Sequence, residues 1–542
     1  MSNPWWHGAV IYQVYPRSFF DTNGDGVGDL PGIAEKMRYI ADLGVDAVWI
    51  SPINTSPMDD FGYDVADYFG IDPLFGTMRD FELVIEAAHK HGLKVLIDQV
   101  MAHSSDQNPW FVESRRDKTN PKADWYVWAD PKPDGTPPNN WLAVFGGPAW
   151  TWDARRGQYY LHNYLSSMPD LNYHNPEVRR AVLDVFRFWL DKGVDGFRLD
   201  VVTGYYHDKE LRDNPPTPPG ELALLDPKKD RKNPYAMQQH IYNKSRPENL
   251  AFLEEARKLA DGYGPERILL GELSVRGKQI AQFLADYTEE GKRLHTAYSF
   301  AWMNPAFSAA RIRDVAKEMT AMAKGGWICW SVGNHDTMRV LTRWGLEKYA
   351  DKAAPLLAAL VMSLRGTSCL YEGEELGLTD ADIPYDRIQD PFGRTLWPDF
   401  KGRDGCRTPM PWKREAENAG FTTGTPWLPI PPEHRERAVD VQDGVPGSIL
   451  ERVRAFIAWR KGHDIFRYGD MDLPPCPDNV VLVRRTRGGK SVLAGFNLDG
   501  EAIRFALPPG EWRTLDGHGF GGRLENGEAV IGGFDAIFCE SE

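Results

Sequence analysis

The sequence predicts an α/β protein with a (β/α)8 TIM barrel, a small domain inserted after the third strand and a C-terminal antiparallel β-domain. Three observations support this fold class. Short β-rich apolar runs alternate with amphipathic helical stretches, and eight such runs can be found. The alternation is interrupted across residues 104–175, and helical periodicity ends near residue 468.

The eight candidate strands are rich in apolar and β-branched residues. They cover residues 9–16, 46–52, 94–100, 194–202, 267–273, 297–303, 327–333 and 367–373. Helical segments between them include residues 33–43, 79–92, 177–192, 248–262, 310–323 and 352–364. A closed barrel explains this alternation, although an open doubly wound sheet fits it nearly as well. In either case the nearly continuous apolar runs are typical of buried parallel strands.

Two long interruptions divide the chain into predicted domains. Residues 104–175, rich in Trp, Pro, Asn and Gly, are too many for an ordinary βα loop and predict an inserted domain B. A second long loop, 203–246, follows the fourth strand. The barrel would therefore comprise residues 1–103 and 176–467. Residues 468–542 carry short strands between Gly, Asn and Pro turns and predict a C-terminal β-sandwich domain.

Composition limits the kinds of molecule that the protein is expected to bind. The net charge of −14, without runs of like charge, argues against nucleic acid and anionic membrane surfaces. No apolar run approaches the roughly 18 residues of a spanning helix, and the first residues lack a signal-peptide pattern. The cysteines are scattered and predict reduced thiols: Cys329, Cys369, Cys406, Cys476 and Cys539. We expect a cytoplasmic monomer or homodimer without an organic cofactor.

Acidic residues stand at the ends of predicted strands: Asp98, Asp200, Glu272 and, just past the seventh strand, Asp336. Any one of them could simply cap the following helix. On successive strand ends of a barrel they would instead meet in one pocket, where a protonated and an ionised carboxyl suit glycoside hydrolysis. Arg198, two residues before Asp200, faces the same side of its strand. It could hold Asp200 ionised or form a structural ion pair only.

Several short strings carry a resemblance to a known family. DQVMAH (98–103), GFRLD (196–200), GEL (271–273) and NHD (334–336) resemble four motifs of the α-amylase clan, glycoside hydrolase family 13. The order of the motifs and the strands that carry them match. MPDLN (168–172), the stretch from WWHGAVIYQVYP onward and GRDGCRTPMPW (402–412) resemble the α-glucosidase and oligo-1,6-glucosidase branch. The resemblance covers essentially the whole chain.

The resemblance implies a retaining exo-acting α-glucosidase that releases glucose from short α-glucosides, with transglucosylation as a side activity. Asp200 would be the nucleophile and Glu272 the general acid/base, while Asp336 would bind sugar hydroxyls. The implied substrate-binding residues are Asp60, Tyr63, His103, Phe145, Arg198, Val201, His335 and Arg403. Asp60 and Arg403 would close the pocket, and Val201 would favour isomaltose-type and sucrose-type substrates as well as maltose.

The resemblance leaves other activities open. The nearest are a sucrose hydrolase or an α-glucosyltransferase of the same clan. Sucrose isomerases of this clan carry an Arg/Asp-rich motif before the NHD motif, and residues 285–330 contain none. A non-catalytic scaffold with the same barrel is a distant alternative, since such proteins carry a membrane anchor and lack the acids that this chain keeps.

A cation site is predicted by DTNGDGVGD (21–29). The side chains of Asp21, Asn23, Asp25 and Asp29 and the carbonyl of Val27 have the alternating spacing of an EF-hand-like loop, with a glycine at the sixth position. The pattern favours structural Ca²⁺, then Mg²⁺, over a plain turn rich in Asx residues. The calcium site of many amylases is expected to be absent, because Ala102 replaces the Asn that serves it.

Overall fold

The computed structural model describes residues 4–222, 233–275, 279–303, 307–323 and 326–541. The described part excludes residues 223–232 of the predicted second loop and the extreme ends of the barrel and C-terminal domain. A parallel sheet lies at the centre. Its strands are Val10–Val14, Ala47–Ile50, Lys94–Gln99, Gly196–Leu199, Ile268–Leu273, Thr296–Ser299, Cys329–Trp330 and Thr367–Tyr371. All eight predicted strands are therefore confirmed, and each is shorter than expected.

Strand pairing decides between the barrel and the open sheet. The first strand pairs in parallel with both the second and the eighth, so it lies inside the sheet. The sixth and seventh strands are at the ends of the hydrogen-bonded order. A parallel bridge between Ala297 and Ile328 joins these two edges. The sheet is thus a nearly closed barrel, and the open alternative was wrong.

Each barrel strand is followed by helical structure. The barrel helices are Leu30–Glu35 with Met37–Asp42, Met78–Lys90, Pro176–Asp191, Asn249–Gly262, Ile280–Thr288, Ala309–Met322, Ala350–Ser363 and Ile449–Lys461. Shorter helices lie at Pro16–Phe19, Pro109–Ser114, Pro219–Leu222, Val340–Arg343, Pro391–Leu396, Pro432–Arg435, Val439–Gln442 and Asp464–Tyr468. The predicted helix 33–43 is two pieces that meet at Lys36. Thr77 and Asp80 form a capping box that begins the second barrel helix.

The region after the third strand contains a small antiparallel sheet. Its strands are Trp128–Ala129, Trp150–Asp153 and Gln158–Leu161. Trp141 stacks on Trp150 at 5.7 Å between ring centroids and fills the small core beside this sheet. A bridge between His103 and Asp170 ties the end of the region back to the barrel rim. The rim also carries a two-stranded sheet, Asn54–Thr55 with Asp67–Ile71.

The C-terminal region is antiparallel, as predicted, and forms two sheets of five and three strands. The strands are Asp470–Asp472, Val480–Arg487, Lys490–Asn497, Ile503–Ala506, Arg513–Thr514, Arg523–Glu525, Glu528–Ile531 and Asp535–Ser541. The apolar segment 528–540 is divided between both sheets. Its chain turns at Gly532, Gly533 and Phe534, where Phe534 has a φ of 48°. Within the described ranges, no helix is long and apolar enough to cross a membrane.

Candidate active site

A single buried guanidinium, Arg198 on the fourth strand, joins the acids of the strand ends. Its Nη1 donates to Asp98 Oδ1 at 2.7 Å and to Asp200 Oδ1 at 2.6 Å. Its Nη2 donates to Glu272 Oε2 and, at 2.7 Å, to the Tyr298 hydroxyl. These partners come from the third, fourth, fifth and sixth strands. The convergence predicted for the strand-end acids is therefore present for three of the four.

The two acids nearest to this guanidinium, Asp200 and Glu272, both have raised pKa values. Burial raises the pKa of Asp200 to about 7, although Arg198 acts against this rise. Burial likewise raises the pKa of Glu272 to about 8, again opposed by Arg198. A hydrogen bond with Glu272 also lowers the pKa of Asp200, whereas the charge of Asp200 raises the pKa of Glu272, so a proton shared by the pair lies on Glu272 and Asp200 is ionised. This is the protonation state that a retaining glycosidase requires.

Asp336 lies across the pocket in a second cluster. Its Oδ1 accepts from Arg403 Nη1 at 3.1 Å and from Arg407 Nη2 at 2.9 Å. Burial disfavours its charge, but His335, Arg403 and Arg407 lower the pKa of Asp336 well below the usual range. His335 is itself neutral, because burial lowers its own pKa. The two arginines therefore keep Asp336 ionised.

A buried ion-pair cluster centres on Arg403. Arg403 Nη2 donates to Asp60 Oδ1 and, at 2.7 Å, to Asp390 Oδ1. Burial raises the pKa of Asp60 to about 7, and Arg403 is the main group that lowers it. The ring of Phe145 packs against the Arg403 guanidinium at 5.1 Å and against Phe392 at 4.9 Å. Asp60, Phe145 and Arg403 are thus neighbours although far apart in sequence.

Tyr63 and His335 form the floor between the two clusters. Their rings are nearly parallel, with centroids 5.3 Å apart. The Tyr63 hydroxyl contacts His335 Nε2 and lies 3.1 Å from Asp98 Oδ2. Both side chains are buried. This contact links the Arg198 cluster to the Asp336 cluster.

His103 and Val201 complete the predicted set. His103 Nε2 bonds to the Tyr63 carbonyl at 3.1 Å, whereas its buried Nδ1 has no hydrogen-bond partner within the described part of the chain. Such an atom is costly unless a ligand or water satisfies it. Val201, directly after Asp200, has a φ of 40°, which is rare for a β-branched residue. Its amide donates to Glu272 Oε2 at 3.2 Å, so the strained backbone contacts the second acid.

The loop of the predicted cation site folds back on its own backbone. Asp21 Oδ1 accepts from the amides of Asn23 and Gly24 at 2.9 and 2.8 Å, and Asp25 Oδ1 accepts from Val27 at 2.9 Å. Asp29 also caps the next helix. Carboxylate oxygens have two lone pairs, so these bonds by themselves leave each oxygen able to bind a cation as well. The described residues contain no group of three or more His, Cys, Asp or Glu arranged for a metal.

Sequence reasoning did not assign a role to several residues of the site. Trp49, Tyr298, Asp390 and Arg407 each bond to one of the predicted side chains. Arg407 lies within the GRDGCRTPMPW motif, which was a usable signal. Tyr298 and Asp390 had no such signal, because their importance comes from partners on other strands and loops. The five cysteines are free, in agreement with the predicted thiols.

Comparison with known proteins decides the family. The model of the α-amylase catalytic domain matches residues 13–469, which include every acid described above. The chain belongs to the α-amylase family. It is a glycoside hydrolase of the α-glucosidase and oligo-1,6-glucosidase type, and the scaffold alternative was wrong.

Three relatives place the enzyme within the family. A probable alpha-glucosidase of Rhizobium meliloti (strain 1021) is 50% identical over 99% of this chain and 97% of its own length. An oligo-1,6-glucosidase of Heyndrickxia coagulans is 36% identical over 95% of this chain and 96% of its own. The crystal structure of the alpha-glucosyl transfer enzyme XgtA is 51% identical, covers 100% of both chains and superposes with a TM-score of 0.96. Two relatives named as glucosidases and one glucosyl transfer enzyme are therefore similar in sequence to this chain over nearly its full length.

Proposed function

We propose that the enzyme is a retaining, exo-acting α-glucosidase that removes glucose from the non-reducing ends of short α-glucosides. The observation that carries the proposal is the Arg198 guanidinium, which bonds to both Asp200 and Glu272. It supports a nucleophile and an acid acting on one glycosidic bond. In the first step of such a mechanism the nucleophile attacks the sugar directly, and no water molecule lies between them. We therefore expect the two carboxyl groups to lie about 5–5.5 Å apart around a bound substrate.

In the first step, Glu272 gives its proton to the glycosidic oxygen while an Asp200 oxygen attacks the anomeric carbon. The aglycone leaves with that proton, and glucose remains as a β-linked ester of Asp200. In the second step, Glu272 takes a proton from water, whose oxygen attacks the same carbon and displaces Asp200. Both steps invert the anomeric centre, so the released glucose keeps the α configuration.

The charged end of the pocket supports exo-action. Asp60 and Arg403 would bind hydroxyls of the terminal glucose, with Phe145 packed behind the guanidinium. Asp336, held ionised by two arginines, would accept from ring hydroxyls and balance the positive charge of the transition state. His103 Nδ1 is a further free donor or acceptor for the sugar. A glucan that extended beyond the terminal glucose at the Asp60–Arg403 end would collide with the buried ion pairs.

The direct test is release of p-nitrophenol from the α-glucoside. Wild-type enzyme should release it, with α-glucose as the first product by proton NMR. Asp200→Asn should lower kcat by at least about 10⁴-fold, because an amide cannot form the ester. Wild-type enzyme that releases no p-nitrophenol at any pH, or that releases β-glucose first, would contradict the proposal.

Linkage preference is proposed to depend on Val201, which is buried beside Glu272. We expect activity on isomaltose and sucrose as well as maltose. Val201→Thr, which keeps the side-chain shape and replaces one methyl group with a hydroxyl, should shift kcat/KM toward maltose, and Val201→Ile serves as the apolar control. A panel of maltose, isomaltose, sucrose and trehalose measures the shift. Activity on maltose alone in the wild type would refute the expected range.

Glucosyl transfer is the second candidate activity, and the similarity to XgtA over the full chain favours it. Water and an alcohol compete for the same glucosyl ester, so one site can support both reactions. Incubating maltose or sucrose with increasing concentrations of a phenolic alcohol separates them. A predominant transferase would give mainly the α-glucoside of the alcohol, whereas a hydrolase with side activity would give mainly glucose.

Three further properties are proposals. A structural Ca²⁺, or else Mg²⁺, would be held by residues of the 21–29 loop: Asp21, Asn23, Asp25, Val27 and Asp29.

The free cysteines support a reducing, cytoplasmic location, which cell fractionation would test. We expect a monomer or homodimer, which light scattering would distinguish.

A further inference from the structure

The ring of His335 has two nitrogens in different surroundings. The residue has no exposed surface, and its ring lies between those of Tyr15 and Tyr63, with centroids 5.7 and 5.3 Å away. A neutral imidazole donates through one nitrogen and accepts through the other, so its neighbours select the tautomer. Which nitrogen carries the hydrogen determines what His335 offers to the pocket.

The surroundings of Nε2 require a hydrogen there. Nε2 contacts the Tyr63 hydroxyl and lies 3.3 Å from Asp336 Oδ2. Asp336 is ionised and can only accept. The Tyr63 hydroxyl has a single hydrogen, which it donates to Asp98 Oδ2 at 3.1 Å, and the Trp49 indole nitrogen donates to the same oxygen at 3.2 Å. An unprotonated Nε2 would therefore present a lone pair to a carboxylate and compete with Asp98 for the same hydrogen.

Nδ1 must then accept a hydrogen bond. The group that faces it is the side-chain amide of Gln13 on the first strand, with Nε2 at 2.7 Å from Nδ1. A second hydrogen on the same amide nitrogen reaches Ser51 Oγ at 3.2 Å. Gln13 has no exposed surface, and its Oε1 has no hydrogen-bond partner among the described residues. In this orientation the amide nitrogen faces both the histidine ring and the serine hydroxyl.

We propose that Gln13 is a positioning residue, whose amide donates to Nδ1 of His335 and keeps the ring hydrogen on Nε2 beside Asp336. The hydrogen bonds then run in one direction, from Gln13 through His335 and Tyr63 to Asp98. This inference rests on the proposed function, since it assigns how one side chain of that site is oriented. Gln13 itself touches neither the nucleophile nor the acid in the described contacts.

A glutamate at position 13 would reverse the first bond. Its carboxylate only accepts, so the ring must place a hydrogen on Nδ1, either by changing tautomer or by gaining a second proton. The charged groups that act on His335 are Asp336, Arg198, Arg403 and Arg407, with Asp98 behind Tyr63. An additional anion at Nδ1 would raise the pKa of His335 against the three arginines.

Neutron diffraction from deuterated wild-type crystals tests the tautomer directly. We expect deuterium on Nε2 of His335, none on Nδ1, and two deuterium atoms on the Gln13 nitrogen that faces the ring. Deuterium on Nδ1, or a Gln13 oxygen facing the ring, overturns the proposal. This measurement needs no substrate, so its result is independent of whether the wild-type enzyme hydrolyses α-glucosides.

Kinetics of Gln13→Glu and Gln13→Met test the consequence, because both replacements are close to glutamine in size. Gln13→Glu should lower kcat about 100-fold, and ionisation of His335 should add to that of Asp200 and make the acidic limb of its kcat/KM profile steeper. Gln13→Met, which removes the donor without adding an acceptor, should lose less than about tenfold and keep the limb in place. Equal losses with unchanged pH profiles would show that Gln13 contributes packing only. If Gln13→Glu does not fold, the neutron result decides.

Discussion

Arg198 and Asp200 are two residues apart on one strand, and Nη1 of the arginine lies 2.6 Å from Oδ1 of the aspartate. The same guanidinium bonds to Asp98 and Glu272. Arg198 has no exposed surface, so none of these bonds is replaced by water. The guanidinium that favours the charge of the proposed nucleophile therefore also acts to lower the pKa of the proposed acid, against its burial.

Replacing Arg198 by lysine should lower both activity and stability. An ammonium keeps the charge but cannot bond to three carboxylates in a fixed plane. We expect kcat to fall about 10²- to 10³-fold, and the free energy of unfolding to fall by about 3 kcal/mol, as for a buried pair that loses its geometry. Steady-state kinetics and urea unfolding measure the two effects.

Arg460→Lys is a matched control for this prediction. Arg460 is as buried as Arg198, but it bonds to the main-chain carbonyls of Met362 and Gly8 instead of carboxylates. Its replacement should lower stability and leave kcat within about threefold of wild type, because Arg460 shares no bonding partner with the proposed catalytic residues. Equal losses of kcat in both variants would show that Arg198 acts through stability alone.

The pH dependence of kcat/KM should be bell-shaped, because Asp200 must be ionised and Glu272 protonated. Activity should rise as pH passes the raised pKa of Asp200, about 7, and fall as pH passes that of Glu272, about 8. Glu272→Gln should remove the alkaline limb when p-nitrophenol is the leaving group, since that group leaves without a proton. An alkaline limb that persists in this variant would assign it to another residue.

Asp60→Asn should weaken binding of the terminal glucose. The substitution removes the charge that pairs with Arg403 and leaves one buried cation with less compensation. We expect KM for maltose to rise about 10- to 100-fold, the scale of a hydrogen bond between charged groups. Asp59→Asn is the control, because Asp59 is the exposed neighbour on the same turn. Similar KM values for both variants would contradict a role of Asp60 in the closed end.

Removal of bound metal should lower thermal stability if the 21–29 loop holds Ca²⁺. Chelation should lower Tm by about 1–2 °C, as expected for about 1–2 kcal/mol in a chain of this length, and added Ca²⁺ should restore it more effectively than Mg²⁺. Asp25→Asn should weaken the response, since Asp25 is a proposed ligand that does not cap the following helix. A Tm that is insensitive to chelator and to Ca²⁺ would favour the plain turn.

The order of the barrel strands and the acids at their ends could be predicted from sequence. Each strand is a local apolar run, and Asp98, Asp200 and Glu272 stand at fixed places along three of these runs. Alternation along a strand was enough to place Arg198 and Asp200 on one side. The first barrel helix was predicted as one piece and is two, because a break at Lys36 leaves the apolar periodicity almost unchanged.

The sequence by itself therefore determined which segments form strands and helices, the order of these segments along the chain, and which acidic residues stand at the strand ends. The tertiary structure decided whether the sheet closes, which it does through the bridge between Ala297 and Ile328. It also decided that Gln13 meets His335, 322 residues later, and that Arg403 meets Asp60, 343 residues earlier. Local patterns report on neighbours within a few positions, whereas these contacts exist only because barrel closure brings distant strand ends to one rim.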